Sequence, residues 1–252
     1  MTLSVFDALD RQHADLAGIL DSLESSRWST PTRCEGWDVA DVVLHLAQTD
    51  EFVVAGCNGT GEEAMASFIP SGESVESVDD AAELAVRRER GVPADDLLAR
   101  WRAAADESRR LLRERPAEHR VPWVLGTLPP KTLATTRLSE AWIHTGDIAE
   151  AVGGSSVADD RLWHIARLAW RTLPYAFGLA GSELSGPVAL RLTSPAGEKW
   201  IFGEEEGPAT TVTGPALEWC LLAARRRPAE LTSLRAEGAD GSAVLSLART
   251  YA

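Results

Sequence analysis

Arg137-Leu-Ser-Glu-Ala-Trp-Ile-His-Thr-Gly-Asp-Ile-Ala-Glu150 is the stretch around which the rest of the chain is read. It places Glu140 and His144 four residues apart on a helical pattern. Four residues advance a helix by slightly more than one turn, so carboxylate and imidazole project from one face, one above the other. The positions 137, 140, 144 and 147 gather Arg137, Glu140, His144 and Asp147 into a polar line, with Leu138, Ala141, Trp142, Ile148 and Val152 to its sides. A charged line between apolar flanks either faces solvent or points into a functional cavity.

Two donors make a weak metal site, and an isolated E-x-x-x-H matches often by chance. The best third donor is His45, in Gly36-Trp-Asp-Val-Ala-Asp-Val-Val-Leu-His-Leu-Ala47. This segment is helical in pattern, with Val39, Val42, Val43, Leu46 and Val53 along its apolar side. His45 lies on the stripe Val42, His45, Thr49, Phe52 and so faces inward. Asp38, followed three residues on by Asp41, reads as the cap of this helix. Cys34 stands close to the same helix start, where a thiolate would be stabilised, although an ordinary buried thiol is the simpler reading.

The chain of 252 residues is long enough for one large or two modest domains with an ample core, and two are favoured. A net charge of -13 repels phosphate backbones and anionic lipid surfaces, which argues against nucleic acid and membranes as partners. It leaves a small-molecule substrate. No apolar run is long enough to cross a bilayer and no basic, apolar leader opens the chain. The odd number and wide spacing of Cys34, Cys57 and Cys220 suit reduced thiols. The expectation is a soluble, unprocessed cytoplasmic protein, monomeric or homodimeric.

Four long helices are expected at roughly 5–24, 38–56, 94–114 and 132–152. In the first, Phe6, Leu9, His13, Leu16, Leu20 and Leu23 form an inward seam, and His13 reads as a hydrogen-bonded core residue rather than a lining group. Between the second and third, the acidic, Ser-rich stretch through Asp80, with Pro70 and Gly72, reads as a mobile loop or lid. The Pro-rich run from Arg115 to Pro130 is placed to form a pocket wall, with His119 exposed. Trp37, Trp123 and Trp142 could line an apolar pocket or simply pack in the core.

Gly153-Gly154-Ser155-Ser156 punctuates the chain, dividing a helical part, 1–154, from a part at 155–252. The latter opens with one bridging helix, Arg161 to Phe177, in which His164 is structural. From Gly186 the periodicity changes to two, giving a hairpin through Pro195-Ala-Gly-Glu198. A third strand follows near Thr210 to Thr213, then a helix from Ala216 to Arg226, a possible strand at Leu231 to Glu237, and a short helix capped by Asp240. The fold class is therefore mostly α with a small α+β C-terminal part.

Thr32-Arg-Cys-Glu-Gly-Trp-Asp-Val-Ala-Asp-Val-Val-Leu-His-Leu-Ala47, taken with Arg137 to Ala149, resembles the mycothiol-dependent maleylpyruvate isomerase family, within the DinB/YfiT-like metal-binding superfamily. The resemblance implies a DinB-like four-helix bundle followed by a small domain resembling sterol carrier protein. It further implies zinc held by His45, Glu140 and His144, with a fourth position for water or substrate. Two His and one Glu also accept Ni2+, Fe2+ or Mn2+. Such an ion can favour a thiolate, lower the pKa of water or polarise a carbonyl. The family's chemistry would add mycothiol as cosubstrate to an activated double bond, allow rotation, and release the thiol.

Asp147 could orient a ligand imidazole or carry a proton, and Arg137 could hold a substrate carboxylate or pair with Glu140. Either residue could instead belong to a structural ion pair. The resemblance also implies an Arg of the C-terminal part that helps bind the anionic thiol or substrate, and Arg225 and Arg226 in Arg225-Arg-Arg-Pro228 are where it is sought. Cations at a helix end also suit the helix dipole. A metal-dependent hydrolase using water and a binding protein without turnover are the other readings.

Overall fold

A computed structural model describes residues 3–68, 77–124, 126–204 and 207–250. The chain is mostly helical, with a small sheet in its C-terminal part. It divides into two compact units, Val5–Val157 and Ala158–Ala252 with Met1–Ser4.

In the first unit the long helices are α1 (Val5–Asp21), α2 (Val39–Asn58), α5 (Ala94–Glu114) and α6 (Pro130–Ala151), with α3 (Gly61–Phe68) and α4 (Val78–Glu89) between α2 and α5. Helix α2 packs most extensively on α5, and α1 on α6. The start of α2 is fixed by a reciprocal cap: the Asp38 side chain accepts the Asp41 N–H at 3.0 Å, and the Asp41 side chain accepts the Asp38 N–H at 3.3 Å. Gly59, at φ 84°, closes its end in the left-handed region. Pro130 opens α6, where a missing N–H costs nothing.

Helix α6 is buried on nearly every side. Arg137, His144 and Asp147 are buried and Glu140 is half-buried, so the polar line of this helix does not face solvent. Leu16, Val42, Val43, Leu46, Trp101 and Ile148 belong to the apolar core around it. Each polar group on the line must therefore find a partner inside the protein, because burying one without a hydrogen bond costs about 1–3 kcal/mol.

The stretch expected as a loop before Asp80 is helical at both described ends, as α3 and as α4. Ser77 caps α4 by accepting the Asp80 N–H. Pro70 and Gly72 lie outside the described residues. The Pro-rich run folds into a small hairpin, β1 (Val121–Trp123) against β2 (Gly126–Leu128). It crosses α2 closely at Gly56, where a Cβ would stand 2.8 Å from the Pro122 carbonyl oxygen.

In the second unit α7 (Leu162–Arg171) and α8 (Leu173–Leu179) replace the single bridging helix. Pro174 supplies no N–H to continue the ladder, and the Thr172 hydroxyl turns to the Leu168 and Arg249 carbonyls. Strands β3 (Val188–Thr193), β4 (Lys199–Phe202), β5 (Thr210–Pro215) and β6 (Arg235–Gly238) form a sheet in the order β4-β3-β5-β6, with β3 and β5 parallel. The expected hairpin is β3–β4. The last strand begins only at Arg235, since Leu231 closes a 3-10 turn.

Helix α9 (Ala216–Ala223) stops short of the basic run, where Arg225 turns left-handed at φ 58°. Asp240 precedes α10 (Gly241–Leu247) without capping it, because its carboxylate accepts the Ser185 N–H and hydroxyl, each at 2.8 Å.

His13 is a core histidine. Its Nδ1 accepts from Arg109 at 2.6 Å, and burial pushes its pKa down to about 4 from 6.5. The unfolded chain thus takes up a proton at higher pH than the folded one. Stability is complete above pH 6.5 and falls as pH drops toward 4, by up to about 3 kcal/mol. Urea denaturation across this window is expected to lose much of that slope in His13→Gln.

Candidate metal centre

His45 is carried by α2, and Glu140 and His144 by consecutive turns of α6. His45 Nε2 lies 3.4 Å from Glu140 Oε1, and His144 Nε2 lies 3.4 Å from the same oxygen. The two imidazoles stand edge to face, with ring centroids 5.1 Å apart. One donor atom from each of the three residues falls within 4.8 Å of the others. A tetrahedral ion with bonds of about 2.0–2.1 Å separates its donors by about 3.4 Å, so the spacing fits zinc. Two imidazoles and one carboxylate also form a donor set that suits it chemically.

Asp147 stands behind His144. Its Oδ2 accepts from His144 Nδ1 at 3.1 Å, so that Nε2 is the ring nitrogen facing the three-donor cluster. The same oxygen receives the Cys34 thiol at 3.4 Å. The Trp37 ring lies against His45, with centroids 5.2 Å apart, and its indole N–H donates to Glu83.

Burial opposes a charge on either imidazole. For His45 it wins, aided by the nearby His144 and Arg137, and the pKa is lowered. For His144, burial is outweighed by Asp147, Cys34 and Glu140, which raise it well above the usual range. Burial would also raise the Glu140 pKa, but hydrogen bonds from His144 and His45 hold it well below. The pocket is therefore arranged to keep one positive charge beside the Glu140 carboxylate.

Arg137 lies on the same polar line but does not pair with Glu140. Its Nε donates to Asp50 Oδ1 at 3.1 Å, both side chains almost fully buried, and Ser108 donates to the same oxygen at 3.1 Å. The guanidinium carbon also sits 5.9 Å from the Trp123 ring centroid. Trp142 is a core residue whose indole N–H donates to the Val157 carbonyl. Arg225 and Arg226 belong to the other unit, where Arg225 is exposed and Arg226 donates to the Ala224 carbonyl at 3.0 Å.

Two partnerships are not encoded in any spacing of the sequence. The Asp50–Arg137 pair joins residues far apart in the chain. Cys34 meets Asp147 because the loop before α2 folds onto α6, and only its position near a helix start hinted at a role.

The family model described as the mycothiol maleylpyruvate isomerase N-terminal domain matches residues 9–149. The chain belongs to this family. Uncharacterized proteins of two Mycobacterium tuberculosis strains are each 31% identical to this family member over 240 residues, covering 94% of its chain and 91% of theirs. The crystal structure of the mycothiol-dependent maleylpyruvate isomerase shares its fold, with a TM-score of 0.58, 16% identity and 88% of each chain covered. A histidine-to-alanine mutant of that isomerase gives the same TM-score at 15% identity over 91% of each chain.

Breaking a buried ion pair leaves an uncompensated charge. Asp50→Ala is expected to destabilise the protein by about 3–5 kcal/mol in urea denaturation, far more than loss of an exposed pair.

Proposed function

We propose that the protein is a metal-dependent, thiol-assisted isomerase or transferase acting on a small electrophilic or unsaturated acid. One observation carries this reading: His45, Glu140 and His144 converge with the donor spacing of a tetrahedral ion. The relative of known structure is a mycothiol-dependent maleylpyruvate isomerase, and mycothiol is accordingly the proposed cosubstrate. In the same reading α1, α2, α5 and α6 are a DinB-like four-helix bundle spanning 1–154. The part at 155–252 is a bridging segment and a sterol-carrier-protein-like domain. Among the described residues no helix is long and apolar enough to cross a membrane. A cytoplasmic location is proposed from the use of a low-molecular-weight thiol.

A bound Zn2+, the default ion of this donor set, would favour a thiolate and polarise a substrate oxygen. The protein's own groups prepare that chemistry. His45, Glu140 and His144 would hold the ion, and three protein donors would leave room for a small molecule. Asp147 holds the Nδ1 proton of His144 and so fixes the tautomer that binds. Trp37 covers His45 and limits water at that ring. Arg137, paired with Asp50 one turn before Glu140, is proposed to fix α6 against α2 and so to hold the ligand-bearing turns in place. Arg225 and Arg226 remain the residues of the C-terminal part proposed to help bind an anionic thiol or acid.

Elemental analysis is expected to find one divalent ion per chain in the native protein and little in His45→Ala or Glu140→Ala, each variant keeping its helical circular dichroism. Turnover of cis-unsaturated acids is expected only with an added low-molecular-weight thiol. Turnover that ignores thiol would point to hydrolysis instead, and metal-independent ligand binding without turnover to a binding protein.

To hold an ion, His144 would have to give up the proton that its surroundings favour. Because the pKa of that group is raised, it is protonated below its folded pKa, and metal affinity is expected to fall as pH is lowered through that range. Titration of metal into weakly buffered protein should therefore release protons.

A further inference from the structure

We propose that Cys34 is a positioning residue of the metal centre, holding Asp147 and, through it, the imidazole of His144. The inference rests on the metal reading given above. Its geometric basis is a convergence of two donors on one oxygen. The Cys34 thiol donates to Asp147 Oδ2 at 3.4 Å, and His144 Nδ1 donates to the same oxygen at 3.1 Å. The sulfur is also 3.9 Å from His144 Nδ1, so the three groups form a closed triangle behind the ligand ring.

The loop that brings the thiol there is tightly built. The Thr32 N–H and hydroxyl both donate to the Trp37 carbonyl, at 2.9 Å each. The Trp37 N–H donates to the Cys34 carbonyl at 3.0 Å, and the Cys34 N–H to the Thr32 hydroxyl oxygen at 3.2 Å. Gly36 supplies the left-handed turn at φ 77°. Arg33 straps the loop to α6 through Glu150 at 3.1 Å. The same short loop thus places Trp37 against His45 and Cys34 against Asp147, touching the support of both imidazoles.

The other two cysteines differ. Cys57 and Cys220 are buried, and burial pushes both thiols up. The Cys220 sulfur meets a backbone carbonyl, that of Leu162. Cys34 is half-buried and directed at a carboxylate. A weak S–H donor there restrains rotation of the Asp147 carboxylate, and a restrained carboxylate restrains the imidazole that must meet the ion. In this role the thiol acts as a hydrogen-bond donor and does not itself ligate.

The test titrates Co2+ into the wild-type protein, Cys34→Val and Cys34→Ser, following affinity and the visible and near-ultraviolet spectra. Thermal unfolding of each metal-free protein checks the fold. The expected result is affinity about tenfold weaker in Cys34→Val and restored to within about threefold by Cys34→Ser, which keeps a donor. No thiolate-to-cobalt charge-transfer band is expected in the wild type. Equal affinity in wild type and Cys34→Val overturns the inference while leaving the metal site standing. A charge-transfer band that disappears in Cys34→Val overturns it in favour of direct ligation. Failure of the wild type to bind removes the metal reading and this inference together.

Discussion

The burial of a charged line along α6 is the constraint on which the rest of the first unit depends. A helix that places Arg137, Glu140, His144 and Asp147 inside a protein cannot leave them to water, so partners have to come from facing elements. Helix α2 supplies two of them, Asp50 for Arg137 and His45 for the Glu140–His144 pair. The loop before α2 supplies another, Cys34 for Asp147. The apolar residues between these partners set the distance at which α2 and α6 meet, and that distance makes the three-donor spacing.

Charge balance divides the line into two ends of different character. At one end Arg137 and Asp50 neutralise each other with both side chains almost fully buried, an arrangement whose removal by halves is costly but which has no unmet need for a cation. At the other end two imidazoles and two carboxylates, Glu140 and Asp147, crowd together. The low pKa of Glu140 and the high pKa of His144 are two expressions of one fact: the pocket stabilises positive charge. A proton can occupy that role, and so can a divalent ion with open coordination positions.

Much of this was legible in the sequence because helical periodicity is local. The i,i+4 placement of Glu140 and His144, the inward direction of His45, the Asp38–Asp41 cap and the change to period two after Gly186 all follow from residues near one another. A structural ion pair for Arg137 is among the readings its sequence allows, but the partner is not legible there, because Glu140 is the visible local candidate whereas Asp50 lies on another helix. The β1–β2 hairpin is hidden by the four prolines of a run that reads as loop, and α3 by an acidic stretch opening on Gly59-Thr-Gly61. The sequence pattern carries the helix through the basic run, whereas α9 stops at Ala223, because the left-handed turn at Arg225 uses a residue type that gives no warning of it.

Family membership and the geometry of His45, Glu140 and His144 meet at one claim, that this protein binds a single ion through those three side chains. X-ray absorption spectroscopy of the zinc-loaded protein at the metal edge tests it most directly. The expected first shell is nitrogen and oxygen at about 2.0–2.1 Å, with imidazole scattering from two rings and no sulfur. A shell dominated by sulfur at about 2.3 Å, or one without imidazole scattering, would contradict it.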